Sequence, residues 1–343
     1  MGTSKNKATV REIAKKANVS TATVSRAFNG SGIVKTETYN AIMEAASSLG
    51  YEFKKETQPE TTVAKKKAKK RLILINIPSM SNPFYSEIIK GIQSSTSNND
   101  FDFLLFTDDV KESTLEHSLS FITGLDIAGL ITMNLVSDNI LKRLTDYVPV
   151  VQCSECTESP YASSVGINDY SATQCAIDYF LSMGRKRIGF INGPLNFKYS
   201  QDRLAAFKSI TQDAKLELPP NWIIQLPDLN PDMAFSSIVK LLSLPDAPDC
   251  FFAVSDVLAA AAIRAAQYCN FRVPEDILVM GFDNTLVSQL TSPSITTISQ
   301  PKFQLGFLAG ELLIEKINNP LSEVKHMKLN TELIIRESTT SIL

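Results

Sequence analysis

From position 72 onward the sequence alternates short, β-branched-rich apolar runs with stretches of helical periodicity, and that alternation leaves few folds open. The apolar runs at 72–77, 103–107, 129–133, 148–152, 187–191, 251–254 and 277–282 have the length of strands. Helical runs fall between them, at 83–95, 171–183, 201–213, 233–242 and 257–268. Strands separated by helices imply parallel sheets with right-handed crossovers. Roughly 270 residues are too many for one such sheet around one core, so two lobes are expected.

In open parallel sheets, ligands sit beyond the carboxyl ends of the strands, which for two lobes means a cleft between them. The loops after the strands carry groups suited to that place. Ser81-Asn82-Pro83-Phe84-Tyr85 follows the first strand and opens a helix. Asn192-Gly193-Pro194 leads to Phe197, Tyr199 and Arg203, while Ser255-Asp256 and Asp283-Asn284-Thr285 each end a strand. An arginine and carboxylates beside aromatic faces suit a polar, ring-bearing metabolite, with bidentate bonds to hydroxyls and a stack for the ring. Asp256 fits a helix cap or a ligand contact equally, whereas Asp283 is assigned to the ligand.

The amino-terminal part is built differently. Residues 1–71 carry 15 Lys/Arg against 6 Asp/Glu, although the whole chain has a formal charge of −2. A basic head on an acidic body is expected when only the head meets a polyanion. Val10, Ile13, Ala14 and Ala17 make one apolar helical face, and Thr9 with Glu12 reads as a capping box. Asn18 suits a tight turn, and Ser20 caps a second helix by accepting from a free backbone N–H near Thr23. Val24, Ala27 and Phe28 then face inward; Thr21, Ala22, Ser25 and Arg26 face outward. A third helix near 36–49 completes a three-helix core with Ile42, Ala45, Ala46 and Leu49. Two short helices joined by a tight turn, the second bearing small polar residues and an arginine, are what a DNA major groove admits.

Val19-Ser20-x-x-Thr23-Val24-Ser25-Arg26, after Ile13-Ala14 and before Gly50-Tyr51, resembles the DNA-binding head of the LacI/GalR repressor family. The resemblance implies that Thr21 and Ala22 read base edges with Arg26 in the groove, and that Thr9, Ser20, Ser25 and Asn29 touch sugar and phosphate. It extends through the body, which is similar to the family's periplasmic-binding-protein-like effector domain. Asn82-Pro83-Phe84-Tyr85, Arg185-Lys186-Arg187-Ile188-Gly189-Phe190, Arg203-Leu-Ala-Ala-Phe207, Val273-Pro274-Glu275-Asp276 and Gly281-Phe282-Asp283-Asn284 carry it. By that likeness Phe84, Phe197, Tyr199, Arg203 and Asp283 contact the effector. Lobe one would comprise 72–165 and 298–325, and lobe two 166–297 and 326–343. Family members usually follow the head with a leucine-bearing hinge helix that wedges into the minor groove. Here 52–71 has no leucine and holds eight basic residues and Pro59, and it reads as a flexible cationic linker over 54–71 that follows a head of 1–53. This, with Phe-Tyr-Ser-Glu-Ile-Ile-Lys-Gly-Ile and the ending Glu-Leu-Ile-Ile-Arg-Glu-Ser-Thr, is most similar to the cytidine-repressor branch, which answers to cytidine and acts beside the cyclic-AMP receptor protein.

Other chemistry finds less support. Cys153-x-x-Cys156 is a lone pair without the four ligands zinc requires, and no metal or cofactor is expected. His117 and His326 lack a nucleophile–base arrangement, and no Gly-rich phosphate loop occurs, which argues against an enzyme. Five cysteines, an odd number, and a polar, lysine-bearing start point to reduced thiols and a cytoplasmic setting. The expected protein is an α-helical helix-turn-helix head joined to an α/β effector domain of two parallel-sheet lobes. It would be a homodimeric repressor of double-stranded operator DNA, gated by a small nucleoside or sugar. The rival from another class is a solute-binding receptor with no DNA function.

Overall fold

The computed structural model describes residues 9–21, 23–24, 27, 36–49 and 70–340, and the chain divides into two compact units, Met1–Lys69 and Lys70–Leu343.

In the first unit the Val10–Lys16 helix is opened by Thr9, whose backbone N–H and hydroxyl both donate to one Glu12 carboxylate oxygen at 2.6 and 2.9 Å. Asn18 takes a left-handed φ of 53°, so the chain turns between the helices at a residue that tolerates it. The Thr23 N–H donates to the Ser20 hydroxyl at 3.1 Å, which supplies the cap the sequence calls for. Ile13, Ala14, Val24, Ala27, Ile42, Ala45 and Ala46 form the core, the last three supplied by the Thr36–Ser48 helix. Small residues dominate this core, so three short helices can approach closely in fewer than 50 residues.

The second unit carries two six-stranded sheets. In the first lobe β1 (Arg71–Asn76), β2 (Phe101–Phe106), β3 (Ile127–Thr132), β4 (Val150–Cys153), β5 (Ser163–Ile167) and β11 (His326–Leu329) lie in the order β11-β5-β4-β3-β1-β2, all parallel. The second lobe orders β6 (Ile188–Asn192), β7 (Ile223–Gln225), β8 (Cys250–Ala253), β9 (Leu278–Phe282), β10 (Thr296–Ser299) and β12 (Glu332–Ile334) as β12-β10-β9-β8-β6-β7. Among the described strands only β12 runs antiparallel, against β10. The central strands β4, β6, β8 and β9 are buried at every residue, as mainly apolar strands covered by helices on both faces must be, and the polar Gln152 and Asn192 in them are hydrogen-bonded. The seven strands expected from the sequence are present, with ends shifted by at most two residues.

The lobe boundaries differ from expectation. The sequence reading puts His326–Leu329 in the second lobe, but this strand pairs in parallel with Ser164–Ile167 and belongs to the first. The chain therefore crosses between lobes after Ile167, near Gln300–Pro301, and between Leu329 and Glu332. The expected linker also runs two residues too far. Lys70 pairs with Asp102 at 3.0 Å and Arg71 begins β1, its guanidinium 5.0 Å from the Phe101 ring centroid, so both belong to the body.

Inside the first lobe, the Phe84–Ser97 and Lys302–Asn318 helices pack at backbone distance. A Cβ at Gly306 would lie 1.9 Å from the Ile88 carbonyl oxygen, and one at Gly91 would lie 2.1 Å from that of Phe303. Only glycine permits this approach.

Candidate functional site

In the head, Thr9, Ser20 and Thr21 are exposed. Ala22, Ser25, Arg26 and Asn29 lie outside the described residues.

In the body, loops at the carboxyl ends of the strands enclose a cleft of about 610 Å³ between the lobes. The first lobe contributes the segment after β1, including Ser79, Asn82 and Tyr85. The second contributes Phe197 and Tyr199 after β6, Asp228 after β7, Asp256 after β8, and Asp283 after β9. The rings of Phe197 and Tyr199 stack at 5.5 Å with an interplanar angle of 24°, giving the cleft a flat aromatic wall.

Phe84 and Arg203 are set deeper, against a gap of only about 20 Å³ beneath the cleft that Tyr199 and Asp283 also line. Phe84 is buried and meets Tyr85 edge to face. Arg203 is 3% exposed. Its Nε donates to Asp169 at 2.7 Å and its Nη1 to the Val254 carbonyl at 2.9 Å. The guanidinium also lies 3.4 Å from the Phe282 ring centroid and 5.0 Å from that of Tyr199. Arg203 thus braces the floor of the second lobe and orients the Tyr199 ring.

The two carboxylates named from the sequence hold different positions. Ser255, not Asp256, caps the Asp256–Tyr268 helix, its hydroxyl accepting from the Leu258 N–H. Asp256 instead accepts from the Thr285 N–H at 2.6 Å, the Thr285 hydroxyl at 2.9 Å and the Thr297 hydroxyl at 2.6 Å. Burial pushes its carboxyl up to about 7, helped by nearby Asp283 and opposed by the threonine hydrogen bonds. Asp283 accepts from Gln300 at 2.7 Å, and burial raises its pKa too. Its φ is +101°, a conformation that costs an L-residue energy and is characteristic of functional sites. Next to it, the Lys302 ammonium donates to the carbonyl oxygens of Asp283 and Asn284.

One residue of this region escapes sequence reasoning. Glu155, on the loop after β4 of the first lobe, is 3% exposed. Its Oε2 accepts from the Lys198 N–H at 2.6 Å and its Oε1 from the Tyr199 N–H at 3.3 Å, at the start of the Lys198–Asp213 helix of the second lobe. The carboxylate therefore spans the lobes and caps a helix that lacks a cap of its own. Burial raises its pKa to about 7, against the lowering effect of those two hydrogen bonds. Its sequence neighbours Cys153 and Cys156 are buried free thiols whose pKa values burial pushes up, which disfavours the thiolate that redox chemistry needs. Among the described residues no cluster of His, Cys, Asp or Glu could hold a metal ion.

A helix-turn-helix head and a two-lobed α/β body with a cleft between the lobes make the architecture of a DNA-binding regulator with an effector-binding domain. Residues 9–52 match the model for bacterial regulatory proteins of the lacI family, and residues 177–339 match that for the periplasmic binding protein-like domain. The chain is 31% identical to the HTH-type transcriptional repressor CytR of Escherichia coli K12, over 98% of this chain and 97% of that one. It is 29% identical to the ribose operon repressor of Haemophilus influenzae, over 98% and 99%. Among solved structures, the cellobiose complex of the transcriptional regulator CelR matches with a TM-score of 0.70 and 26% identity, over 97% of this chain and 100% of that one. The chain belongs to the lacI family of bacterial regulatory proteins and is a DNA-binding transcriptional repressor with an effector-binding domain. No described helix is long and apolar enough to cross a membrane.

Proposed function

We propose that this chain represses transcription as a cytoplasmic homodimer on operator DNA and is gated by a small ring-bearing metabolite, in the first place a nucleoside such as cytidine. The observation that carries the reading is the cleft of about 610 Å³, lined by the Phe197–Tyr199 stack and by Asp228, Asp256 and Asp283. An aromatic wall takes a base or the apolar face of a sugar, and carboxylates take its hydroxyl and amino donors. The likeness to a CytR repressor favours a nucleoside, and the likeness to a ribose repressor makes a sugar the second reading.

Thr21, Ala22 and Arg26 are proposed to read base edges, with Thr9, Ser20, Ser25 and Asn29 on the backbone; Phe197, Tyr199, Asp256 and Asp283 face the effector, with Phe84 and Arg203 beneath them. Dimerisation follows from the small footprint of one three-helix head, which reads too few base pairs for useful specificity. The segment after the head lacks the leucine that usually fixes it on DNA, so a neighbouring bound protein such as the cyclic-AMP receptor protein is proposed to add affinity. Effector binding would shift the balance between lobe arrangements by no more than its differential affinity for them.

A thermal-shift screen with cytidine, uridine, adenosine, ribose and cellobiose, followed by gel-shift titration on promoter DNA, tests this. Cytidine is expected to raise the melting temperature and alter operator occupancy. A response to sugars alone selects the second reading, and failure to bind any promoter DNA ends both.

A further inference from the structure

We propose that the cleft refuses anionic ligands, phosphate esters above all, and that Glu155 sets this preference; the inference rests on the cleft being the effector site. The first N–H groups of a helix are where a ligand's phosphate ordinarily binds, because they are unpaired and carry the positive end of the helix dipole. The Lys198–Asp213 helix begins at the cleft beside Phe197, so a phosphorylated effector would be expected there. That place is taken: both oxygens of Glu155 sit on the Lys198 and Tyr199 N–H groups. The chain places its own carboxyl group where a ligand's phosphate would go.

The nearby cations are committed as well. Arg203 is held by Asp169 and the Val254 carbonyl, and Lys302 by two carbonyl oxygens. Arg336 donates to Ser288, to the Ile295 carbonyl and to Asn284. Among the described residues lining the cleft there are three carboxylates, Asp228, Asp256 and Asp283, and no lysine or arginine. A phosphate entering this space would meet carboxyl groups and no lysine or arginine to pair with, in a partly desolvated setting. It would also have to displace Glu155, leaving a buried carboxylate without its donors and near Asp169. Neutral or cationic ligands bearing hydroxyl or amino donors avoid both costs. The cleft thus distinguishes a nucleoside from its nucleotide and a sugar from its phosphate ester, a discrimination made by donors already occupied and cations already committed rather than by added contacts.

The test uses the full-length protein in calorimetric titrations with two matched pairs, cytidine against cytidine 5′-monophosphate and ribose against ribose 5-phosphate. Alongside, inorganic phosphate is titrated against the melting temperatures of the wild type, E155Q and E155A. The neutral member of a pair is expected to bind the wild type at least about tenfold more tightly than its phosphate ester. Phosphate is expected to stabilise E155A, whose helix N-terminus is vacated, and E155Q to a lesser degree, while leaving the wild type unmoved. Equal binding of a pair by the wild type overturns the inference, and so does an identical phosphate response in all three proteins. If no neutral probe binds, the effector reading fails, and the phosphate response still decides the part assigned to Glu155.

Discussion

Glu155 and Asp256 are carboxyl groups held in the folded body at about 7, well above the 4.5 and 3.8 of the free side chains. A group whose pKa rises on folding favours the fold below its unfolded value and loses that contribution as pH climbs through the folded one. Asp169 and Arg203 act on Glu155 and also on Asp283, whose pKa burial raises too and which in turn acts on Asp256, so these groups share one electrostatic setting. The melting temperature is therefore expected to fall between pH 5 and pH 8, and E155Q and D256N should each flatten that decline; an unchanged slope in both variants would count against these positions. The opposite contributions of Glu12, Asp276 and Glu337, whose pKa values are lowered by hydrogen bonds, act at lower pH. Asp283, with its strained φ and its place on the cleft wall, gives a second expectation: D283N should weaken cytidine binding by about tenfold while operator affinity holds, as gel shifts with and without ligand would show. Asp283 was legible because it ends an apolar run before a turn. Glu155 was not, since its partners lie 43 and 44 positions away and its neighbours suggest a cysteine pair instead.

At the level of elements, the strands with unbroken apolar runs declared themselves, and those found only in the structure share physical reasons for being silent. Ser163–Ile167 reads SSVGI and is entirely buried, but two serines and a glycine hide it. Ile223–Gln225 is three residues long, and His326–Leu329 is half exposed at the sheet edge, so neither carries a burial signal. The placement of His326–Leu329 could not be read at all, because a strand's partner is set by tertiary pairing and not by its own sequence. The glycines of the Phe84–Ser97 and Lys302–Asn318 helices were equally silent, since nothing local shows that Gly91 faces Phe303 or that Gly306 faces Ile88. Gly306→Ala drives a methyl into a carbonyl oxygen with no flexible side chain to yield. It should destabilise the body by about 2–3 kcal/mol, seen as a lowered urea midpoint by circular dichroism, and a midpoint equal to wild type would mean the helices can separate at little cost.

For the whole molecule the division of labour is electrostatic: a basic amino-terminal part joined to an acidic body, within a net charge of only −2. The lysine-rich stretch between them lies outside the described residues, but its composition is enough for an expectation. Replacing Lys65, Lys66 and Lys67 with alanine should reduce the salt slope of operator binding by about two to three, one for each phosphate that is no longer neutralised, with sequence preference unchanged. An unaltered slope in gel shifts across a salt series would remove these lysines from the account of binding. Within the body, Lys302 has a consequence for how a signal could leave the cleft. This residue starts the Lys302–Asn318 helix, grips the carbonyl oxygens of Asp283 and Asn284, and so ties the helix to the loop an effector would touch. The same helix is interlocked, backbone against backbone, with Phe84–Ser97. A shift at Asp283 would thus be delivered to a two-helix lever locked backbone to backbone at Gly91 and Gly306, and the stroke of that lever, not the depth of the cleft, would set how far a small molecule's arrival is felt.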